Sequence, residues 1–212
     1  HSYFALDVTK RTAPKFLFSF SNDPTNKQIY YWPASGKRVG TDYASVSSEY
    51  DYSKLGEAWS KPSIVLVPSG KKRKWVAAFG AGFNAGINPN YGSAVDVVDL
   101  ENQGKVLSRI DLADNSGGFA NALPSQLTAI TADTTSVANY SGAMLYAADL
   151  ESKVWKINLT NDGSLYSATN LFDGQGDDKN GRANFFAMTP SIGTDGKLWL
   201  YFGTGDQQKV QH

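Results

Sequence analysis

The sequence predicts an all-β fold, a β-propeller of which this chain holds only part of the ring. Three observations carry that expectation. Short apolar runs rich in β-branched and aromatic residues are separated by glycine and asparagine turns, which is how strands are written. A proline-serine opening recurs at Lys61-Pro62-Ser63, Leu123-Pro124-Ser125 and Thr189-Pro190-Ser191, each time ahead of a short apolar strand. No stretch carries a convincing helical period. About four strands to each sixty-odd residues is the pattern of a propeller blade, so about three blades are expected over residues 1–212. A β-sandwich with a coincidental proline spacing is the alternative left open by the pattern alone.

The strands follow in order. The chain opens on Tyr3-Phe4-Ala5-Leu6-Asp7-Val8, which reads as the middle of a strand, so the sequence is expected to be an excerpt of a longer protein. First strands are expected at Lys61–Val67, Leu123–Ile130 and Thr189–Gly193, and Pro62, Pro124 and Pro190 should hold equivalent places, since proline is tolerated at a strand's first residue. Each is answered by a second strand, at Trp75–Phe79, Met144–Ala148 and Leu198–Phe202. Further strands are expected at Ser93–Leu100, Lys105–Leu112 and Lys153–Leu159. Ser19 to Tyr52, by contrast, reads as a long polar and aromatic connection. Connections of that length are usually functional, and tyrosine and tryptophan give wide contact area with a polar handle. Tyr30, Tyr31 and Trp32 are therefore the candidate binding residues, with packing against a neighbouring blade as the competing role.

Composition narrows the function classes. The 212 residues are 41% hydrophobic and 13% aromatic, enough for an ordered core, and lysine plus arginine balance aspartate plus glutamate at 20 each. Such balance gives no electrostatic reason to expect nucleic-acid binding. Cysteine is absent, which excludes disulfides, thiolate metal sites and a cysteine nucleophile. No apolar run approaches the ~18 residues of a membrane helix. His1 and His212 are the only histidines, so a histidine-dependent triad inside the domain is not available.

Three local motifs resolve to turns. Gly80-Ala81-Gly82-Phe83-Asn84-Ala85 matches a dinucleotide fingerprint formally, but Gly86-Ile87-Asn88-Pro89 cannot supply the helix that a pyrophosphate site needs. Lys71-Lys72-Arg73-Lys74 reads as a hairpin tip kept soluble by charge, with contact to an anionic surface as its functional reading. Asp173 to Gly181 gathers oxygen ligands of the kind calcium takes, making Asp173, Asp177, Asp178 and Asn180 weak metal candidates against a solvated turn.

Several stretches, in this order, resemble the C-terminal propeller of the PilY/PilC family of type IV pilus biogenesis factors and tip adhesins. They are Tyr3–Thr9, Leu55–Ile64, Trp75–Asn84, Leu145–Ile157 and Tyr201–Gly205. The Asp149-Leu150…Trp155-Lys156 stretch is also shared with quinoprotein-like propellers, where the tryptophan packs between blades. The resemblance implies a secreted bacterial protein at the pilus tip or outer surface. It would act without turnover in adhesion and in pilus assembly, with minor pilins as partners and an unknown host or surface receptor. The rival class is a quinoprotein dehydrogenase holding pyrroloquinoline quinone. The family's aspartate-rich calcium loop is reduced here to Asp133, Asn139 and threonine oxygens, so calcium remains a weak expectation as cofactor and no tight binding is expected at 133–142.

Overall fold

A computed structural model describes residues 2–84, 91–114, 121–131, 141–176 and 181–205. Three four-stranded antiparallel sheets follow one another along the chain, each with its strands in sequence order, and a two-stranded sheet follows them. The first sheet holds β1 (Ser2–Asp7), β2 (Lys15–Asp23), β3 (Gln28–Trp32) and β4 (Val39–Asp42). The second holds β5 (Ser63–Ser69), β6 (Lys72–Gly80), β7 (Ala94–Asp99) and β8 (Lys105–Asp111). The third holds β9 (Thr128–Thr131), β10 (Gly142–Ala148), β11 (Lys153–Thr160) and β12 (Ser167–Asp173), and β13 (Thr189–Ile192) pairs with β14 (Leu198–Tyr201). Among the described residues there is one 3₁₀ turn, Ser48–Tyr50, and no α-helix.

Successive sheets pack face to face, so the middle strands are apolar on both faces. On β6, Val76 and Ala78 join Leu145, Ile157 and Trp155 between the second and third sheets, while Ala77 and Phe79 join Phe20, Ile29 and Tyr52 between the first and second. On β10, Leu145 and Ala147 face the second sheet; Tyr146 and Ala148 face the other way, with Met188 and Leu200. This explains why these strands read as near-continuous apolar runs rather than as alternating patterns. Trp155 sits in the seam between the second and third sheets, its indole N–H donating to Asp149 Oδ2 at 2.8 Å.

Two expectations are corrected. The segment from Ser19 to Tyr52 is not a loop: it contains the end of β2, all of β3 and β4, and the 3₁₀ turn. Its alternation was a strand signal, because Ile29 and Tyr31 point into the core while Gln28, Tyr30 and Trp32 point out. The prolines are not equivalent either. Pro62 immediately precedes β5, Pro124 stands four residues before β9, and Pro190 is the second residue of β13. The equivalent positions are instead the hydroxyl residues that open each first strand, Ser63, Thr128 and Thr189. The first strand of the third sheet accordingly starts at Thr128 rather than at Leu123, and β12 adds a fourth strand whose mixed, exposed Ser167–Asp173 pattern gave no apolar signal.

Candidate functional site

The three candidate aromatics lie on one strand but on two faces. Tyr31 is buried against the second sheet, its ring 4.6 Å from that of Tyr50 and its hydroxyl donating to the carbonyl of Gln103 at 3.0 Å. Burial pushes its phenol up to about 12. Tyr30 and Trp32 occupy the opposite face, two residues apart as the pleat requires, with ring centroids 6.3 Å apart. Arg38 lies over both, its guanidinium 3.5 Å from the Tyr30 ring and 5.2 Å from that of Trp32. Gly40, paired with Tyr30 across β3 and β4, leaves that ring room. The result is a partly exposed aromatic–arginine patch on the outward face of the first sheet, a surface that gives contact area with polar handles. Arg38 went unremarked in the sequence because it follows a turn, Pro33 to Lys37, with no pattern linking it to β3.

Beside Tyr30, a cleft of about 680 Å³ opens at the end of the sheets where β2 turns into β3, lined by Asn22, Asp23, Glu57, Phe83 and Tyr91 among others. Much of its wall is committed internally. The Asn22 amide donates to the carbonyls of Ser53 and Leu55 and accepts from the Tyr43 hydroxyl at 2.5 Å. Phe83 stacks on Trp59 at 4.4 Å. Asp23 accepts from the backbone and side chain of Asn26, which hold its carboxyl below the usual range.

The Gly80-Ala81-Gly82 turn forms the back of this region. Three chain segments meet there through backbone bonds: Gly56 N–H to the Ala81 carbonyl, Glu57 and Phe83 to each other, and Gly82 N–H to the Leu123 carbonyl. A Cβ on Gly80 would overlap the Leu123 carbonyl, and one on Gly82, at φ +99°, would overlap that of Glu57. The glycines serve close backbone approach; the residues that a dinucleotide-binding helix would need to occupy, 85–90, lie outside the described residues.

Two buried charge networks fix the sheets. Arg109 on β8 bridges Asp96 on β7 at 3.0 Å and Asp51 at 3.2 Å, and also donates to the Asp51 carbonyl. Asp96 is fully buried and burial raises its carboxyl, against the pull of Arg109. In the third sheet, the turn between β10 and β11 is organised by Asp149. Its Oδ1 accepts from the N–H groups of Glu151 and Lys153, both at 2.9 Å, and its Oδ2 from Trp155 and Asn121. Burial pushes Asp149 up to about 6, opposed by those donors. Asn121 also reaches Glu151 at 2.7 Å, and Lys153 binds Glu151 at 2.8 Å and Asp114 at 2.6 Å. A sequence signal existed: Asp99-Leu100-Glu101 repeats the same turn, with Glu101 N–H donating to Asp99 Oδ1 at 3.0 Å.

Of the metal candidates, Asp173 closes β12 and accepts from the Gln175 N–H at 2.8 Å, as a turn-capping aspartate does. Asp133, Asn139, Asp177, Asp178 and Asn180 lie outside the described residues. Among the described residues no group of three or more carboxylates or imidazoles is placed to hold a metal ion. Lys71 and Lys72 stand at the β5–β6 hairpin tip, and Lys74 pairs with Asp99 at 2.6 Å.

No protein-family profile matches the chain, and no curated protein matches it in sequence. A solved structure does match: the crystal structure of the C-terminal domain of Pseudomonas aeruginosa PilY1 superposes with a TM-score of 0.57 at 18% identity, over 97% of this chain. The fold is PilY1-like. The chain spans 43% of that domain's length. At this identity the likeness is one of fold, and with the four antiparallel sheets it makes the architecture all-β and propeller-like.

Proposed function

We propose that the chain is part of a non-enzymatic binding scaffold of the type IV pilus, acting in adhesion at the tip and in pilus assembly with minor pilins. The observation that supports this reading is the fold likeness to the PilY1 C-terminal domain along nearly the whole chain. The geometry is compatible with it: the buried carboxylates of the second and third sheets are tied to arginine, lysine and indole donors that join segments of the fold. What is left for contact is the outer surface, where the Tyr30–Arg38–Trp32 patch sits on a rigid β-frame. On this reading the protein is exported and works outside the cell.

Capture of minor pilins by the purified full-length protein tests the proposal. Minor pilins of the source bacterium should be retained at micromolar concentration, and Trp32→Ala with Arg38→Ala should reduce retention without shifting the melting temperature appreciably. Reduction of a redox dye after reconstitution with pyrroloquinoline quinone and calcium, with no pilin retained, would instead establish the dehydrogenase class.

A further inference from the structure

The neutral overall charge conceals an uneven distribution. Tyr3, at the start of β1, donates to the Ser60 carbonyl just ahead of β5 and packs 4.4 Å from Phe79 at the end of β6. The first strands of the first two sheets therefore run the same way, and the β1–β2 and β5–β6 turns emerge at the same end. Those two tips carry Lys10, Arg11 and Lys15 on one and Lys71, Lys72 and Arg73 on the other, all exposed. The acids at this end are engaged: Asp7 accepts from the Thr9 N–H, Asp99 binds Lys74, and Glu101 accepts from the Trp75 N–H.

Between the two tips the seam is open and apolar. A groove of about 330 Å³ is walled by Phe4, Leu6 and Leu17 of the first sheet and by Pro62, Ile64 and Leu100 of the second. Phe4 is 67% exposed and Ile64 53%, and Trp75, 47% exposed, continues the apolar wall towards the Lys71–Lys72 tip. On β5 and β6 these residues share one face, since Ile64 pairs with Ala77 and Leu66 with Trp75. Large side chains so exposed in a recess mark a contact surface rather than ordinary scatter.

We propose that this groove docks an acidic peptide segment of a partner protein, one large apolar side chain entering between Leu17 and Ile64 and flanking carboxylates meeting the two basic tips. Charge complementarity selects the occupant. The recess has room for one or two large side chains, and apolar anchors held in such pockets dominate peptide recognition. The hairpin apices are Arg11-Thr12 and Gly70-Lys71, so no apolar group leads at the tips as insertion into a lipid surface would require. The inference concerns a surface distinct from the Tyr30–Trp32 face and stands or falls independently of the pilus reading.

Panning a random twelve-residue peptide library on the immobilised full-length protein tests it. The expected outcome is enrichment of sequences that place Asp or Glu beside a large apolar residue. Their affinity should fall at least tenfold for K71E/K72E and for Ile64→Glu, and weaken with added salt. The lysine pair is exposed at the hairpin tip, so that variant should retain the fold, which a melting curve checks. Failure to enrich any sequence, enrichment without acidic residues, or equal binding to the lysine variant would overturn the proposal. So would sedimentation with phosphatidylglycerol vesicles, lost in the same variants, in the absence of peptide enrichment.

Discussion

The hydroxyl of Ser63, the first residue of β5, donates to the carbonyl of Leu127 at 2.7 Å, across the seam between the second and third sheets. Thr128, the first residue of β9, repeats the contact one seam later, donating to the carbonyl of Met188 at 2.6 Å. Each first strand is thus pinned to the residue that precedes the next first strand. Both donors are buried, so their loss leaves carbonyls in a dry seam. Ser63→Ala and Thr128→Val should each destabilise by about 1–2 kcal/mol, read by urea unfolding. The two should add, since they belong to different seams. A change below ~0.3 kcal/mol in both would mean that these contacts do not hold the sheets together.

Tyr31 and its neighbours separate packing from surface. Tyr31→Ala should destabilise by roughly 3 kcal/mol, as large core truncations do, and Tyr31→Phe by about 1 kcal/mol for the lost bond to Gln103. Trp32→Ala should cost under about 1 kcal/mol, because its partners are the exposed Arg38 and half-buried Tyr30. Equal losses for Tyr31→Ala and Trp32→Ala would show that the outward face is also core.

Asp149 predicts a specific pH dependence. Its carboxyl sits at about 6 in the fold, above the 3.8 of an ordinary aspartate. The folded chain therefore binds that proton more tightly than the unfolded chain. The contribution of Asp149 to stability is greatest below pH ~4 and declines as pH rises to about 6. Asp7, Asp23 and Asp195, whose carboxyls are lowered by local hydrogen bonds, act in the opposite sense. Comparison with Asp149→Asn isolates the effect. The wild-type advantage over the variant should shrink between pH 4 and 6.5, and a pH-independent difference would contradict the assignment.

Gly82 should be intolerant of any side chain. It combines φ +99° with a Cβ position that falls on the Glu57 carbonyl, so Gly82→Ala should cost upwards of ~3 kcal/mol or prevent folding. Gly36, at φ +81° with open space around it, should lose only about 1 kcal/mol on the same change. Melting temperatures of the pair decide the point, and comparable effects would remove close approach as the reason for the glycine pair.

Much of the fold was legible in the sequence where strands are buried on both faces. Val76–Phe79 and Leu145–Ala148 announce themselves because each residue packs against one sheet or the other. The first sheet was harder to read. Its strands are polar on the outward face, and Tyr30, Tyr31 and Trp32 resembled a decorated loop until the alternation of burial separated Tyr31 from its neighbours. Proline marks the repeat in the sequence, yet the repeated geometry lies in a hydroxyl, Ser63 or Thr128, whose partner carbonyl is 64 or 60 positions away and leaves no local trace. Arg38 and the contacts of Asn121 leave no local trace for the same reason, since turns bring them to their partners, whereas the Asp149-Leu150-Glu151 turn is written twice, its counterpart being Asp99-Leu100-Glu101.

The most direct test of the scaffold reading is surface piliation in the source bacterium. Deletion of the gene encoding the full-length protein should abolish pili recovered by shearing, and the wild-type gene should restore them. A copy lacking residues 2–205 should not restore them even when fractionation shows that the shortened protein reaches the same compartment as the wild type. Normal piliation and adhesion in the deletion strain, accompanied by loss of a quinone-dependent dehydrogenase activity, would contradict the account.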